Sequence, residues 1–293
     1  MMIFIVSMVT FALLSLAGGD ALTSLRDNPQ ISEATIENLR RVYGLDQPMP
    51  VRYFTWLRGA VVGEMGESMY FRVPVSTLVG SRFLNTFYLG IAALAISVVV
   101  AFGLSITGAR YRSRTLSAVI EFVVFFTAST PRIVLSLVAL VIVAQLSAAN
   151  IDAASAAGFW LAALALAAPL ISIFLAQFHD GLSRTMDEDF IQLARAKGLS
   201  EGMIVMRHAI RAALNPVLTV FGLSLGGVLG GSVIVESVLG RQGLGTLMVS
   251  AVRSRDLPLV MGIVLVTSTV VWLGNTLAEM LQAVNDKRMR VES

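Results

Sequence analysis

Charged side chains are scarce in this chain, and three stand where charge is costly. Glu121, Arg132 and Glu236 fall within or at the ends of long apolar stretches. A lone charge in hydrocarbon costs about 3 kcal/mol or more, so such a group faces a cavity, a partner or the interface. The chemistry on offer is electrostatic: a solute path or a stripe between subunits. Glu121 and Arg132 are eleven residues apart. On a straight helix they share nearly one face and lie about 16 Å apart, too far to pair. Pro131 lacks an amide hydrogen and kinks whatever helix holds it. Glu236 precedes "LGRQGLG", whose glycines suit a gate or re-entrant loop as well as an ordinary helix end. Other reactive groups are few. The absence of cysteine excludes disulfides, thiolate metal sites and cysteine catalysis. His179 and His208 are the only imidazoles, and His208 reads as a helix contact rather than a metal ligand. No phosphate-binding loop is present, and no Ser/His, HExxH or paired-Asp arrangement stands within the apolar stretches. No catalytic or metal-binding residue is expected.

A second concentration of charge is "DEDFIQLARAKGLSEGMIVMRHAIRAALNP", Asp187–Pro216. It reads as a helical hairpin. Three acidic residues open the first helix, about Asp187–Lys197, and Arg195 and Lys197 close it, as the helix dipole favours. Gly198 takes the left-handed position after the helix, with Leu199 as the apolar contact beyond it. Ser200 caps the second helix, which opens with Glu201 and continues to Asn215–Pro216. Phe190, Leu193 and Ala194 form an apolar stripe that a merely solvated loop does not need.

These groups require a membrane scaffold. Of the 293 residues, 56% are hydrophobic and 14% charged, against about a quarter charged in soluble domains. The net charge of +3 calls for no nucleic-acid partner. A span needs about 20 apolar residues. Six stretches qualify as candidates: 1–17, 83–107, 116–146 with Pro131 inside it, 156–178 with Pro169, 214–235 and 259–284. The fifth contains "FGLSLGGVLGGS", whose small residues permit close helix packing. The first is short and lacks the basic start of a signal peptide, so a truncated first span is the expectation. Loops 108–115 and 179–212 with the tail 285–293 carry eleven Lys and Arg; the short loops 148–155 and 237–257 carry three. The positive-inside rule therefore puts the hairpin and both termini in the cytoplasm.

The segment 18–82 then lies outside. Ser32 and Thr35 start a capped helix with apolar spacing at Ile36, Leu39 and Val42. Gly44 stops it, and Pro48 bars re-entry. A second amphipathic stretch, 51–62, carries Tyr53, Phe54, Trp56 and Leu57 and suits the membrane interface. The domain plan is thus a first span (1–17), an external segment (18–82), a transmembrane core (83–284) holding the cytoplasmic loop 179–212, and a tail (285–293).

The run "DFIQLARAKGLSEGMIVMRHAIRAALNPV" resembles the cytoplasmic signature loop of ABC-importer permeases, in its dipeptide, oligopeptide and nickel version. Ala194 and Gly198 match. Gln192 and Leu193 stand where the general signature has Glu and Ala, and Ile210 and Arg211 where it has Leu and Pro. "LRRVYGLDQPMPVRYFTWLRGAVVGEMGESM", "GSVIVESVLGRQGLGTLMVSAVRSRDLPLV" and "NDKRMR" resemble the same family's first paired permease, over nearly the whole chain. Two departures are the short first span and Arg132, where a small or aromatic residue is expected. The resemblance implies an all-α type I importer permease of about six transmembrane helices, in the bacterial inner membrane. It implies a coupling helix that docks on an ATPase, through Asp189, Phe190, Leu193, Ala194, Arg195, Ala196, Lys197, Gly198 and Leu199. Glu121, Pro131, Arg132 and Glu236 are the candidate path residues. The implied partners are a second permease, two ATPase subunits that bind ATP and magnesium, an external binding protein and the lipid bilayer. This chain itself would bind no cofactor and catalyse nothing. Peptide is the expected solute, with nickel chelates, glutathione or sugars open.

A self-sufficient secondary transporter is the main alternative. Such proteins use inverted repeats and midplane ionisable groups; no repeat is visible here. A membrane enzyme is the third reading, and no catalytic arrangement supports it.

Overall fold

The computed structural model describes residues 2–16, 32–111, 113–149 and 151–285. The small-residue stretch before position 20, the first part of the external segment and the basic tail lie outside the described residues. The chain divides into two compact units. One comprises Met1–Thr86 and Gln242–Val270, the other Phe87–Arg241 and Val271–Ser293.

The first unit begins with α1, Met2–Leu16, a 15-residue apolar helix. Helix α2, Glu33–Val42, starts as expected: the Thr35 amide donates to Ser32 Oγ at 3.2 Å. Ile36 is buried; the side chains of Leu39 and Val42 are outside the described residues. Gly44 ends the helix at φ +62°, and Leu45 N–H reaches back to the Arg40 carbonyl at 2.9 Å. Pro48 is extended backbone, at φ −55° and ψ 140°. It is the N-cap residue of α3, Met49–Val61. Tyr53 packs this helix on α1, its ring edge-on to Phe11 and its hydroxyl 3.0 Å from Ser7 Oγ.

A short hairpin follows, closed by a bridge between Glu67 and Pro74. It is fastened by Asp256, which is fully buried. One Asp256 carboxylate oxygen accepts from Ser68 Oγ and from the Tyr70 amide. The other caps the next long helix by accepting from Leu259 N–H at 3.2 Å. The stretch after "LGRQG" is not an open loop but a further helix, Leu244–Arg253. Its Leu244, Leu247 and Ala251 pack with Val75, Val79, Leu259 and Ile263 in the unit's core.

The second unit is a helical bundle. Helix α4, Val75–Tyr111, starts in the first unit and continues into the second. It begins earlier than the apolar run implies because Val75 and Val79 are buried. Then come α5, Arg114–Ser129, α6, Arg132–Ala149, and α7, Ile151–Met186. The expected single span over 116–146 is two helices bent by 93°. Thr130 is extended, as the residue before a proline prefers, and Pro131 supplies no amide hydrogen to bridge the gap. The 36 residues of α7 measure about 54 Å, well beyond a bilayer core of about 30 Å. Pro169 sits inside this helix without ending it. Ser97 of α4 donates across to the Ala167 carbonyl of α7 at 3.2 Å, which ties the two helices together. Phe102 stacks on Phe178 with ring centroids 4.1 Å apart.

Among the described residues four helices are long and apolar enough to cross a membrane, and five if the bent pair is one span. The expected count of about six is therefore not met by length. The shortfall is α1, with 15 residues against the roughly 20 a span needs.

Candidate coupling and translocation site

After α7 the chain forms the hairpin. Its first helix, α8, runs Asp189–Ala196 and is slightly shorter than expected. Its two apolar rows separate cleanly. Ile191 and Ala194 face inward at 0% and 7% exposure, while Phe190 and Leu193 are 47% and 57% exposed. Ala194 therefore belongs to the packed face, not to the exposed stripe. The helix ends in a Schellman turn. Gly198, at φ +78°, donates to the Arg195 carbonyl at 2.9 Å, and Leu199 to the Ala194 carbonyl at 3.3 Å. Ala196 and Lys197 are exposed around this turn, Asp189 is exposed at the other end of the helix, and Leu199 is half-buried.

Ser200 Oγ caps the next short helix, α9, Glu201–Ile204, accepting from Met203 N–H. Arg195 spans the turn to Glu201, Nε to Oε1 at 2.6 Å and Nη2 to Oε2 at 3.3 Å. This hydrogen bond raises the guanidinium pKa, with the charge of Glu201 adding to it. Both side chains reach solvent, so the pair sets geometry more than stability.

The hairpin's second arm does not stop at Asn215–Pro216. It passes through one π-helical turn, Val205–Ala209, into α10, Ile210–Val238, with Pro216 inside that helix. His208 lies in the π turn. The last long helix, α11, is Leu257–Asn285. Its Asn285 donates to the Arg211 carbonyl at 3.1 Å and to Asn215 Oδ1 at 2.6 Å. The hairpin is thus continuous with a membrane-length helix.

The path candidates separate. Glu121 is exposed on α5, and the bend removes the face it was expected to share with Arg132. Pro131 lies in the bend. Arg132 is the first residue of α6, and its guanidinium rests on the backbone of Gly231 in α10. A methyl group at Gly231 would stand 2.6 Å from the guanidinium carbon. Arg132 Nε is buried without a hydrogen-bond partner among the described residues. Glu236, five residues beyond Gly231 on α10, is also buried. Its carbonyl accepts from Arg241 N–H at 2.8 Å. Nothing in the sequence singles out Gly231. The glycine run signals close packing, but not which glycine receives a charge. At Gly222 the close approach is to another helix, with Ala278 Cβ 2.9 Å from an added methyl.

The model of a family described as "Binding-protein-dependent transport system inner membrane component" matches residues 99–291, and that of its N-terminal part matches 1–86. The chain belongs to this family. It is the membrane subunit, or permease, of an ABC importer, and the reading as a self-sufficient secondary transporter falls away. The permease is 32% identical to a putative peptide permease protein of Brucella suis biovar 1, over 99% of this chain and 95% of the relative. It is 31% identical to the glutathione transport system permease protein of Escherichia coli K12, over 98% and 94%. To the oligopeptide transport system permease protein of Bacillus subtilis it is 28% identical, over 97% and 94%. Membership in a binding-protein-dependent system implies an external binding protein and ATPase subunits as partners of the permease.

Proposed function

We propose that the permease is one of two unlike membrane subunits of an ATP-driven importer of short peptides. The observation that carries this reading is the hairpin. It exposes Phe190 and Leu193 on a helix whose other face is buried, and its second arm continues into a membrane-length helix. A partner that grips the exposed row moves α10 with it. Peptide is the solute named for the Brucella and Bacillus relatives, and glutathione is itself a tripeptide. ATP and magnesium belong to the partner ATPases, which supply the hydrolysis. Pro131, Arg132 and Glu236 line the path in this reading, with Glu121 at its edge.

Proteoliposomes test it. With binding protein, both permeases and ATPases present, labelled dipeptide uptake should require ATP and every component. Ion-gradient-driven uptake by this chain alone would overturn the reading.

The orientation has its own test. The eleven-to-three excess of basic residues in short loops puts the hairpin inside. In this topology the bent α5–α6 pair crosses the bilayer once. With no native cysteine, Glu33→Cys should react with an impermeant thiol reagent on intact cells and Lys197→Cys should not. The reverse pattern would reject the topology.

A further inference from the structure

The first unit holds a half-open pocket of about 510 Å³ that the transport reading does not use. That volume is in the range of small-molecule sites. Its walls are already formed. The left-handed turn at Gly44 places Tyr43 and Gln47 on one side. Helix α3 supplies Arg52, Thr55 and Trp56. The hairpin supplies Met65, Glu67 and Met69, and the buried Asp256 carboxylate holds that hairpin against the start of α11.

The lining includes residues of both signs: Arg41, Arg52, whose guanidinium carbon lies 5.8 Å from the centroid of the Phe11 ring, and Glu67. Burial first, and then the charge of Glu67, raise the Tyr43 pKa against the opposing effect of Arg72. Tyr43 therefore remains a hydroxyl donor. A simple anion would meet Glu67, and a simple cation would meet two arginines. A molecule bearing one carboxylate and one ammonium satisfies both sets. The remaining surface includes Phe11, Trp56, Leu257 and Pro258, which suits an apolar side chain. Two unbranched methionines let that surface adapt to side chains of different shape.

We propose that this pocket binds a small zwitterion, an amino acid or a short peptide with both ends free, through Arg41 and Arg52 at the carboxylate and Glu67 at the ammonium. Its placement outside the membrane rests on the topology proposed above; the binding does not. In an importer of peptides such a site would hold solute on the permease before it enters the path.

The test uses the full-length chain in phosphatidylcholine nanodiscs, without ATPases, so it is independent of transport. Trp160→Phe and Trp272→Phe leave Trp56 as the only tryptophan, and Trp56 lines the pocket. Titration with dialanine should give a saturable fluorescence change at millimolar concentration or below. N-acetyl-dialanine and dialanine amide should each bind about tenfold more weakly, for loss of one charge-assisted hydrogen-bond set. Arg41→Gln should weaken dialanine by a similar factor, and Arg41→Lys should restore part of it. Glu67→Gln should weaken dialanine but leave the acetylated form unchanged. The proposal is overturned by no saturable change up to about 10 mM, or by equal binding of the blocked forms. It is overturned too if inorganic phosphate alone reproduces the signal. A signal that needs phosphatidylethanolamine and resists dialanine would make this a lipid headgroup site and reject the solute.

Discussion

Leu193→Asp should leave the permease folded in the membrane and release its ATPase subunit. Leu193 is 57% exposed, so a carboxylate there is solvated in the free chain. In a docked complex the same carboxylate is buried without a partner, at a cost of several kcal/mol. ATPase copurification should fall by about a hundredfold or more, and peptide uptake should disappear with it. Phe190→Asp should behave alike. Ala194→Glu is the contrast. Its side chain enters the packed face beside Ile191, so it should lower the yield of folded permease instead. Gly198 separates backbone from contact. A Cβ there meets nothing within 4 Å, yet φ is +78°. Gly198→Val therefore strains only the turn, by about 1–2 kcal/mol, and Gly198→Asn should be nearly silent, because asparagine tolerates that region. Normal ATPase binding and uptake by Leu193→Asp and Phe190→Asp together would leave the hairpin as a solvated loop.

Arg132→Leu should reduce uptake by about tenfold or more while the importer still assembles. A charged hydrogen bond to a passing solute is worth about 1.5–3 kcal/mol, and leucine supplies none. Gly231→Ala gives the same prediction from the opposite helix. Its methyl group would occupy the seat of the guanidinium. The mobile end of the arginine gives way more easily than the helix backbone, so the cation is displaced while the fold remains. Both variants should retain ATPase binding and lose uptake, and Arg132→Lys should recover part of it. Uptake assays on equal amounts of purified complex decide the matter. Wild-type uptake by Arg132→Leu would remove this residue from the path, and wild-type uptake by Gly231→Ala alone would show that the seat does not matter.

Features governed by neighbours within about one helical turn are legible in the sequence. Ser32 and Ser200 cap their helices through amides three residues on. Gly44 and Gly198 stop theirs because the left-handed turn disfavours side chains. The apolar runs marked most of the long helices, since length and hydropathy are additive along the chain. Tertiary structure decided what depends on distant partners. Pro131 announces a break, but whether it yields a kink or a 93° corner depends on what packs against α5 and α6. Ala194 and Leu193 are adjacent and both apolar, and only the bundle beneath α8 makes one buried and the other exposed. Gly231 is one of five glycines in its run, and only the approach of Arg132, ninety-nine positions away, distinguishes it. Asp256 stands in the stretch 237–257 with no local mark of a special role. Its burial against Ser68 and Tyr70 comes from a chain reversal across 188 residues, whose closure local preference does not encode.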